Sequence, residues 1–273
     1  MTLVGMQFVR ALVAGAREHS VPPDGVLIVD DGGQRIYAGG FRPVWADLNV
    51  SGKSSEELRT NYRNTGAIIA AAQAVRDGAP LTSDGDGFVQ HTDVQREVGD
   101  RPVFRRAPNG ELAVALDIIE DMCSDGFEHH EIALLMRSNA DAEQIYEFLR
   151  HKDIPAAKLK DARDGSLPDG IRVGTFDRAK GWEFRAVLIV RLGASQFPQR
   201  IETNNGEPQQ TTFDGMETVS GEPSDEEKEA RILDIGRLYV GMTRARDRSF
   251  LIADEEPCEE LGAALDYFDC PLG

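Results

Sequence analysis

The chain has 273 residues, of which 41% are hydrophobic and 28% are charged, a composition typical of a folded globular protein with one large or two modest domains. No apolar run reaches the ~18–20 residues of a membrane span, so the sequence predicts a soluble protein. Its 47 acidic and 30 basic side chains give a formal net charge of −17, and any contact with nucleic acid must therefore depend on a local basic patch.

The first predicted elements are a helix and a buried strand. Phe8, Leu12 and Val13 recur at helical spacing, and the first basic residue comes only at Arg10, which favours an amphipathic helix over a signal peptide. A β-branched run at residues 26–29 predicts a buried parallel strand. Functional loops in open α/β sheets follow the carboxyl ends of such strands.

The rest of the chain alternates between helical and extended patterns. A helix is predicted from Ser54 to Arg76, ended by Gly78 and Pro80. The later elements are, in chain order, strands 88–90 and 102–104, helix 111–123, strand 131–137, helix 141–151, strands 171–176 and 186–192, a helix ending near Arg246, and strand 249–253. This alternation predicts an α/β fold with a parallel sheet covered by helices on both faces.

Residues 193–229 interrupt the alternation. Residues 202–229 contain nine acids against one lysine, which predicts a solvated, mobile acidic insertion. Within it, the acidic run 225–229 is typical of a helix N-terminus stabilised by the helix dipole, so we assign it no chemistry.

One apparent phosphate-binding motif is a coincidence. Gly52-Lys53-Ser54 resembles the end of a P-loop, but that motif also requires a glycine five positions before Gly52, where this chain has Asp47. No other segment of the sequence matches GxxxxGK[ST], so the chain by itself has no lysine loop to cradle a nucleotide.

Four other segments are informative because of their order. They are Asp31-Gly32-Gly33-Gln34-Arg35-Ile36-Tyr37 after the first strand, Leu58-Arg59-Thr60-Asn61-Tyr62-Arg63 at the start of a predicted helix, the segment from Gly174 to Phe184 after a strand, and the segment from Arg237 to Arg246 at the end of a helix. This order resembles motifs III, IV, V and VI of the UvrD/Rep family of superfamily 1 DNA helicases. The resemblance runs from about residue 5 to residue 254.

The resemblance implies an architecture. Helicases of this family have two RecA-like lobes, with ATP in the cleft between them and single-stranded DNA across both. Residues 1–55 would be the tail of the first RecA-like lobe, and residues 56–273 the second lobe, including the acidic insertion. The family's Walker A loop and DExxQ Walker B segment would lie before residue 1.

The expected cofactors and partners follow from that placement. We expect ATP with Mg²⁺, the metal being held by residues of an N-terminal lobe that carries the Walker A loop and acts in cis or in trans. Single-stranded DNA is the expected second partner. The chain alone is expected to be inactive as an ATPase.

The resemblance also assigns the nucleotide residues. Arg63 and Arg244 match the arginines that meet the γ-phosphate, whose charge is stabilised by arginines from a facing lobe. Gln34 matches the motif III glutamine between the γ-phosphate and the DNA, and Glu183 matches the acid that accepts hydrogen bonds from the ribose. Because motif VI is predicted to lie on a helix, we expect Arg237 and Arg244, seven residues apart, to share one face of it.

The expected DNA contacts come from two motifs. Thr175, Arg178 and Lys180 match the DNA-backbone side of motif V, and Tyr37 of motif III is an aromatic candidate for base stacking. Asp177 stands where the family commonly has histidine, and a carboxylate repels phosphate. We therefore expect the contact made by that histidine to be absent or to be made through Arg178.

Histidine and cysteine contribute no predicted metal site. The five histidines show no ligand spacing beside the cysteines, and the three cysteines are widely spaced and odd in number, which favours a reducing cytoplasm over a disulfide framework.

Two alternatives stay open at this point. A non-catalytic regulatory or partner-binding module derived from a helicase would also explain the charge of −17 and the lack of a Walker A loop. A doubly wound enzyme acting on a small molecule would require a catalytic pair, which the sequence does not reveal.

Overall fold

The computed structural model describes residues 60–78, 93–96, 98–163, 165–198 and 224–271. The predictions on the first 59 residues lie outside these ranges: the first helix, the strand at 26–29, the unit 1–55, Gln34 and Tyr37. The predicted strand at 88–90 lies outside them as well.

Eight strands and six α-helices make up the described residues. The strands are β1 (Thr60–Thr65), β2 (Asp93–Arg96), β3 (Val103–Arg106), β4 (Ile132–Met136), β5 (Ala156–Lys158), β6 (Ile171–Thr175), β7 (Phe184–Ile189) and β8 (Ala245–Ala253). The helices are α1 (Gly66–Asp77), α2 (Glu111–Ser124), α3 (Asn139–His151), α4 (Phe176–Ala179), α5 (Asp225–Met242) and α6 (Glu259–Ala263), with short 3₁₀ turns at His129–Glu131, Leu159–Asp161 and Leu265–Tyr267.

Six of the strands form one parallel sheet in the order β3-β8-β7-β4-β6-β5. Strands β1 and β2 pair in parallel as a separate two-stranded ribbon. The predicted α/β class with a parallel sheet is confirmed.

Alternate residues of the central strands enter two different cores. In β4, Ala133 and Leu135 pack with α1, α5 and α6, whereas Ile132, Leu134 and Met136 pack with α2 and α3 on the opposite face. Because successive side chains of a strand point to opposite faces, an uninterrupted apolar run is what a strand buried on both sides requires. The sheet is covered on both faces, as predicted.

The helix predicted over residues 54–76 is wrong over residues 60–65. Residues Thr60–Thr65 form β1, and α1 begins only at Gly66. The reason is local: Thr65 has extended backbone and its hydroxyl caps the helix by accepting from the amide of Ile68, which fits the preference of threonine for the N-cap. The end predicted at Gly78 is confirmed, because Gly78 is the C-cap.

The helix predicted to end near Arg246 ends earlier, at Met242. Thr243 is its C-cap, and β8 then starts at Ala245 rather than at residue 249. The carbonyls beyond the helix find partners elsewhere in the fold: the amide of Phe184 donates to the carbonyl of Arg244 at 3.0 Å. Since orphan carbonyls at a helix end need partners, these contacts favour leaving the helix at this point.

The described ends of the predicted insertion belong to the folded domain. Phe197 is fully buried, and Ser224 and Glu227 form a reciprocal capping box at the start of α5. The acidic run 225–229 is therefore the first turn of a helix, as predicted, and not part of an insertion. Residues 199–223 lie outside the described ranges.

Candidate functional site

Three of the sequence motifs meet where β7 and β8 begin, at the amino-terminal ends of these two strands, which we call the amino edge of the sheet. Asn64 in β1 donates from Nδ2 to the carbonyls of Thr243 at 2.9 Å and Ala245 at 2.5 Å. The amide of Phe184, the first residue of β7, donates to the carbonyl of Arg244. Motifs IV, V and VI thus form one cluster, although they lie up to 181 positions apart in the sequence.

Arg63 and Glu183 face each other across this cluster. The Nε atom of Arg63 lies 2.6 Å from Oε1 of Glu183, and the two side chains are 36% and 44% exposed. Tyr62, which precedes Arg63 in β1, is 72% exposed. It was not predicted from the sequence.

The strand that carries Arg63 is fastened to β8 by Arg96. Its Nη1 atom donates to the carbonyls of Arg63 at 2.9 Å and Arg246 at 2.8 Å, and Nη2 donates to Asp247 Oδ1 at 2.7 Å. Burial raises the pKa of Asp247, but hydrogen bonds from Arg96 and Arg185 outweigh this effect and hold the pKa below its ordinary value. The backbone at Arg63 is therefore fixed by charged contacts.

Arg244 has a different environment from the one predicted. Its side chain is 2% exposed, and the guanidinium donates to the carbonyls of Val240 at 3.1 Å and Trp182 at 3.5 Å and to the hydroxyl of Thr243 at 3.4 Å. Because α5 ends at Met242, Arg244 does not share a helix face with Arg237. That part of the prediction is wrong.

Arg237 is neutralised by two acids. It lies 2.7 Å from Asp234 and 3.5 Å from Asp177, and Asp234, which is 1% exposed, also pairs with Arg137 at 2.8 Å. Asp177, which stands where the family commonly has histidine, thus faces α5.

The first residues of motif V, from Gly174 to Arg178, lie at the opposite, carboxyl edge of the sheet. Thr175 is the last residue of β6, and its hydroxyl caps α4 by accepting from the amide of Arg178 at 3.3 Å. A small pocket at this carboxyl edge is lined by Asn139, Ala142, Glu143, Lys158, Lys160, Val173, Gly174, Thr175 and Arg178. Lys180 follows α4 and is exposed. Thr175 and Arg178 are therefore brought together beside two lysines.

Those two lysines were also missed by the sequence analysis. Glu143 Oε1 lies 2.9 Å from the Nζ of Lys158, and Oε2 lies 2.7 Å from the Nζ of Lys160. Hydrogen bonds from Lys160 and Lys158 lower the pKa of Glu143 to about 2. The only local signal is a Lys-x-Lys pair that ends a short strand, and it does not reveal the carboxylate 15 positions earlier in the chain.

One short crossover joins the two edges. It runs from Thr175 at the end of β6 through α4 to Glu183, just before β7, a span of roughly 20 Å along the strand direction. Gly181 within it has φ of +91° and open space where a side chain would be, a conformation that favours glycine. At Gly241 in α5 a Cβ would lie 2.7 Å from the ring of Phe176, so α5 approaches the crossover closely.

Among residues 60–78, 93–96, 98–163, 165–198 and 224–271, no group of three or more His, Cys, Asp or Glu side chains could hold a metal ion. No helix within the same part of the chain is long and apolar enough to cross a membrane.

Comparisons with known proteins agree with this architecture. A family model described as the UvrD-like helicase C-terminal domain matches residues 57–163 and 156–256. No curated protein matches the sequence. Among solved structures, the chain is similar to the C-terminal domain of a possible DNA helicase from Lactobacillus plantarum WCFS1, with 17% identity and a TM-score of 0.51, over 77% of this chain and 98% of that one. At this identity the structural likeness concerns the fold alone.

Proposed function

Because this chain belongs to the UvrD-like helicase C-terminal domain family, we propose that it is the C-terminal portion of an ATP-dependent DNA translocase. In this role it supplies arginines to ATP and one wall of the track for single-stranded DNA. The observation that carries the proposal is the convergence of motifs IV, V and VI at one edge of the sheet, linked by a single crossover to a basic pocket at the other edge.

The amino edge provides the groups that a nucleotide needs. Glu183 can accept hydrogen bonds from ribose hydroxyls, and Arg63 can pair with the γ-phosphate. Since Arg63 and Glu183 pair with each other at the surface, we propose that the pair separates when a nucleotide enters. An exposed ion pair contributes only ~0–1 kcal/mol, so its loss opposes binding weakly.

Arg244 is the second proposed γ-phosphate arginine, but its burial imposes a condition. Its guanidinium must leave the carbonyls of Val240 and Trp182 before it can reach a phosphate. We propose that this rearrangement accompanies closure of the cleft, so that Arg244 contacts the phosphate only in the catalytic state. Gln34, which lies outside the described residues, is the third proposed contact.

Magnesium and the phosphate-cradling lysine belong to another lobe in this proposal. Mg²⁺ would neutralise part of the charge that develops during phosphoryl transfer. We propose that a lobe carrying the Walker A loop holds this metal and the phosphate-binding lysine. The proposed compartment is the cytoplasm, whose reducing conditions suit the three free cysteines.

The carboxyl edge is the proposed DNA wall. Thr175 and Arg178 line a pocket that also contains two lysines, and Lys180 is exposed at the end of α4. This is the local basic patch that a chain of charge −17 requires for a polyanion. The proposed stacking residue of motif III, Tyr37, lies outside the described ranges.

Binding of single-stranded DNA tests this wall. We expect the chain to bind a fluorescent oligo(dT) weakly, with an affinity that falls steeply as salt is added, because phosphate contacts release counterions. Arg178→Gln should weaken binding and reduce the slope of log K against log salt by about 0.7, the value for one phosphate contact on a single strand. Fluorescence anisotropy from 20 to 200 mM salt measures both quantities.

Arg150→Gln is the matched control, because Arg150 is an exposed arginine on α3 that pairs with Glu147 and does not line the pocket. Binding that is independent of salt, or an equal loss in both variants, would contradict the proposed wall.

A second candidate function is a non-catalytic regulatory or partner-binding module. The observation that favours it is the burial of Arg244 among backbone acceptors, as a purely structural arginine would be. The two candidates differ in one consequence: only a translocase half accelerates ATP hydrolysis when a Walker A lobe is supplied.

A further inference from the structure

The Lys158–Glu143–Lys160 cluster holds an anion between two ammonium groups. Each oxygen of the Glu143 carboxylate accepts from a different lysine, at 2.9 Å and 2.7 Å. The ammonium of Lys158 also lies 4.4 Å from the centre of the Tyr146 ring, which fixes its position further. The ammonium groups of Lys158 and Lys160 are therefore held in place, and one anionic group fits between them.

The Glu143 carboxylate that lies between the two lysines resembles a phosphodiester in the hydrogen bonds that it can accept. A carboxylate and a phosphodiester each present two charged oxygens on one central atom, and both accept hydrogen bonds from ammonium groups. The cluster also shares its pocket with Thr175 and Arg178, and the side chains lining that pocket include three cations against the single carboxylate of Glu143. Without that carboxylate the site has a clear excess of positive charge.

We propose that Lys158 and Lys160 form a clamp for one phosphodiester of a single nucleic-acid strand, and that the Glu143 carboxylate occupies the clamp when no strand is bound. Glu143 is thus an internal competitor that weakens binding of the strand. This inference rests on the proposed function, because the clamp extends the same DNA wall. The clamp adds Lys158, Lys160 and Glu143 to that wall, and the competition by Glu143 keeps the affinity for the strand low.

The position of Glu143 allows the exchange. It lies in the first two turns of α3, and its side chain is 43% exposed, so it can swing into solvent when a phosphate arrives. Lys158 and Lys160 are on a different segment, at the end of β5 and in the following 3₁₀ turn. Removing the carboxylate therefore leaves the backbone that carries the lysines unchanged.

The experiment measures binding of fluorescent oligo(dT) to the full chain by anisotropy at low salt. We expect Glu143→Gln to bind about threefold to tenfold more tightly than the unaltered chain, since two exposed ion pairs no longer compete with the strand. The matched control is Glu147→Gln on the same helix. Glu147 is also 43% exposed, and its replacement changes the net charge equally without touching the clamp, so its affinity should stay close to the unaltered value.

A double-mutant cycle makes the test specific to the lysines. In a Lys158→Gln/Lys160→Gln background, the additional Glu143→Gln change should give almost no gain, because groups that interact are not additive. A gain that persists in this background, an equal gain in Glu147→Gln, or no gain in Glu143→Gln overturns the clamp. Binding by no variant, Glu143→Gln included, also overturns it.

Two further results separate the clamp from its alternatives. If inorganic phosphate at matched ionic strength displaces the strand from Glu143→Gln far better than sulfate does, the site is one for free phosphate and the assignment to a strand is wrong. If Arg178→Gln weakens binding while Glu143→Gln leaves the affinity unchanged, the result supports the proposed DNA wall and contradicts only the clamp. A gain in Glu143→Gln with no effect of Arg178→Gln supports the clamp and removes Arg178 from the proposed wall.

Discussion

Replacing Arg63 with alanine lowers the turnover of ATP by about 10³-fold in the assembled motor, meaning this chain joined to a lobe with a Walker A loop. The reason is that an arginine delivered to the γ-phosphate stabilises the charge of the transition state more than that of bound ATP. Arg63→Lys should restore little of the activity, because an ammonium is a point charge and cannot make the planar two-point contact of a guanidinium. Steady-state ATPase measurements at saturating ATP give the comparison.

The thermal stability of the Arg63→Ala chain should stay within about 1 kcal/mol of the unaltered protein, since its ion pair with Glu183 is exposed. Arg150→Ala, which removes another exposed arginine, one that pairs with Glu147, is the control for loss of one surface cation. Turnover within a few-fold of the unaltered motor would remove Arg63 from the proposed nucleotide site.

Replacing Arg244 with alanine has two effects at once. We expect a loss of about 2–4 kcal/mol in the free energy of unfolding, because the carbonyls of Val240 and Trp182 lose their buried donor. For a domain of this size that loss lowers the melting temperature by about 4–16 °C. Turnover of ATP in the assembled motor should also fall by about 10³-fold, measured well below the melting temperature of the variant.

The two effects can be separated by a neighbouring residue and by a conservative change. Arg246 is two positions away and exposed, so Arg246→Ala should leave both melting temperature and turnover nearly unchanged. Arg244→Lys keeps a donor for one buried carbonyl and should recover stability more than activity. Recovery of both to the same degree would indicate that Arg244 is a structural arginine and supports the non-catalytic alternative.

Much of the fold could be predicted because the strands of the main sheet are continuous apolar runs. The run Ile132–Met136 is fully buried, and no other element type buries a short apolar run so completely between two helical layers. The helices on either side show a regular apolar spacing and clear ends. Such local patterns predict the class of the fold without any knowledge of tertiary contacts.

The errors lie where tertiary contacts decide the structure. The segment at Thr60–Thr65 pairs with β2 and is tied to β8 through Asn64 and Arg96, and none of these partners is near it in the sequence. The burial of Arg244 likewise depends on where α5 ends and on the carbonyl of Trp182. A motif match identifies such residues, but it cannot say which way their side chains point.

The residues of the candidate site also divide into those that the sequence could predict and those that only tertiary contacts determine. The four motifs indicated that Arg63, Glu183 and Arg244 belong to one functional unit, and the structure brings their segments together. Lys158 and Lys160 have no comparable signal, because a charged pair after a strand is usually just solvated surface. Their arrangement around one carboxylate exists only in the folded chain.

The most direct test of the account is the ATPase activity of this chain alone, of a Walker A lobe alone, and of the two joined, each with and without single-stranded DNA. We predict that the isolated chain hydrolyses ATP no faster than buffer, because it has no lysine loop for the phosphates. The joined protein should turn over ATP, and DNA should stimulate it. DNA-stimulated hydrolysis by the chain alone, or a joined protein no faster than the Walker A lobe by itself, would contradict the assignment of this chain as the second half of a motor.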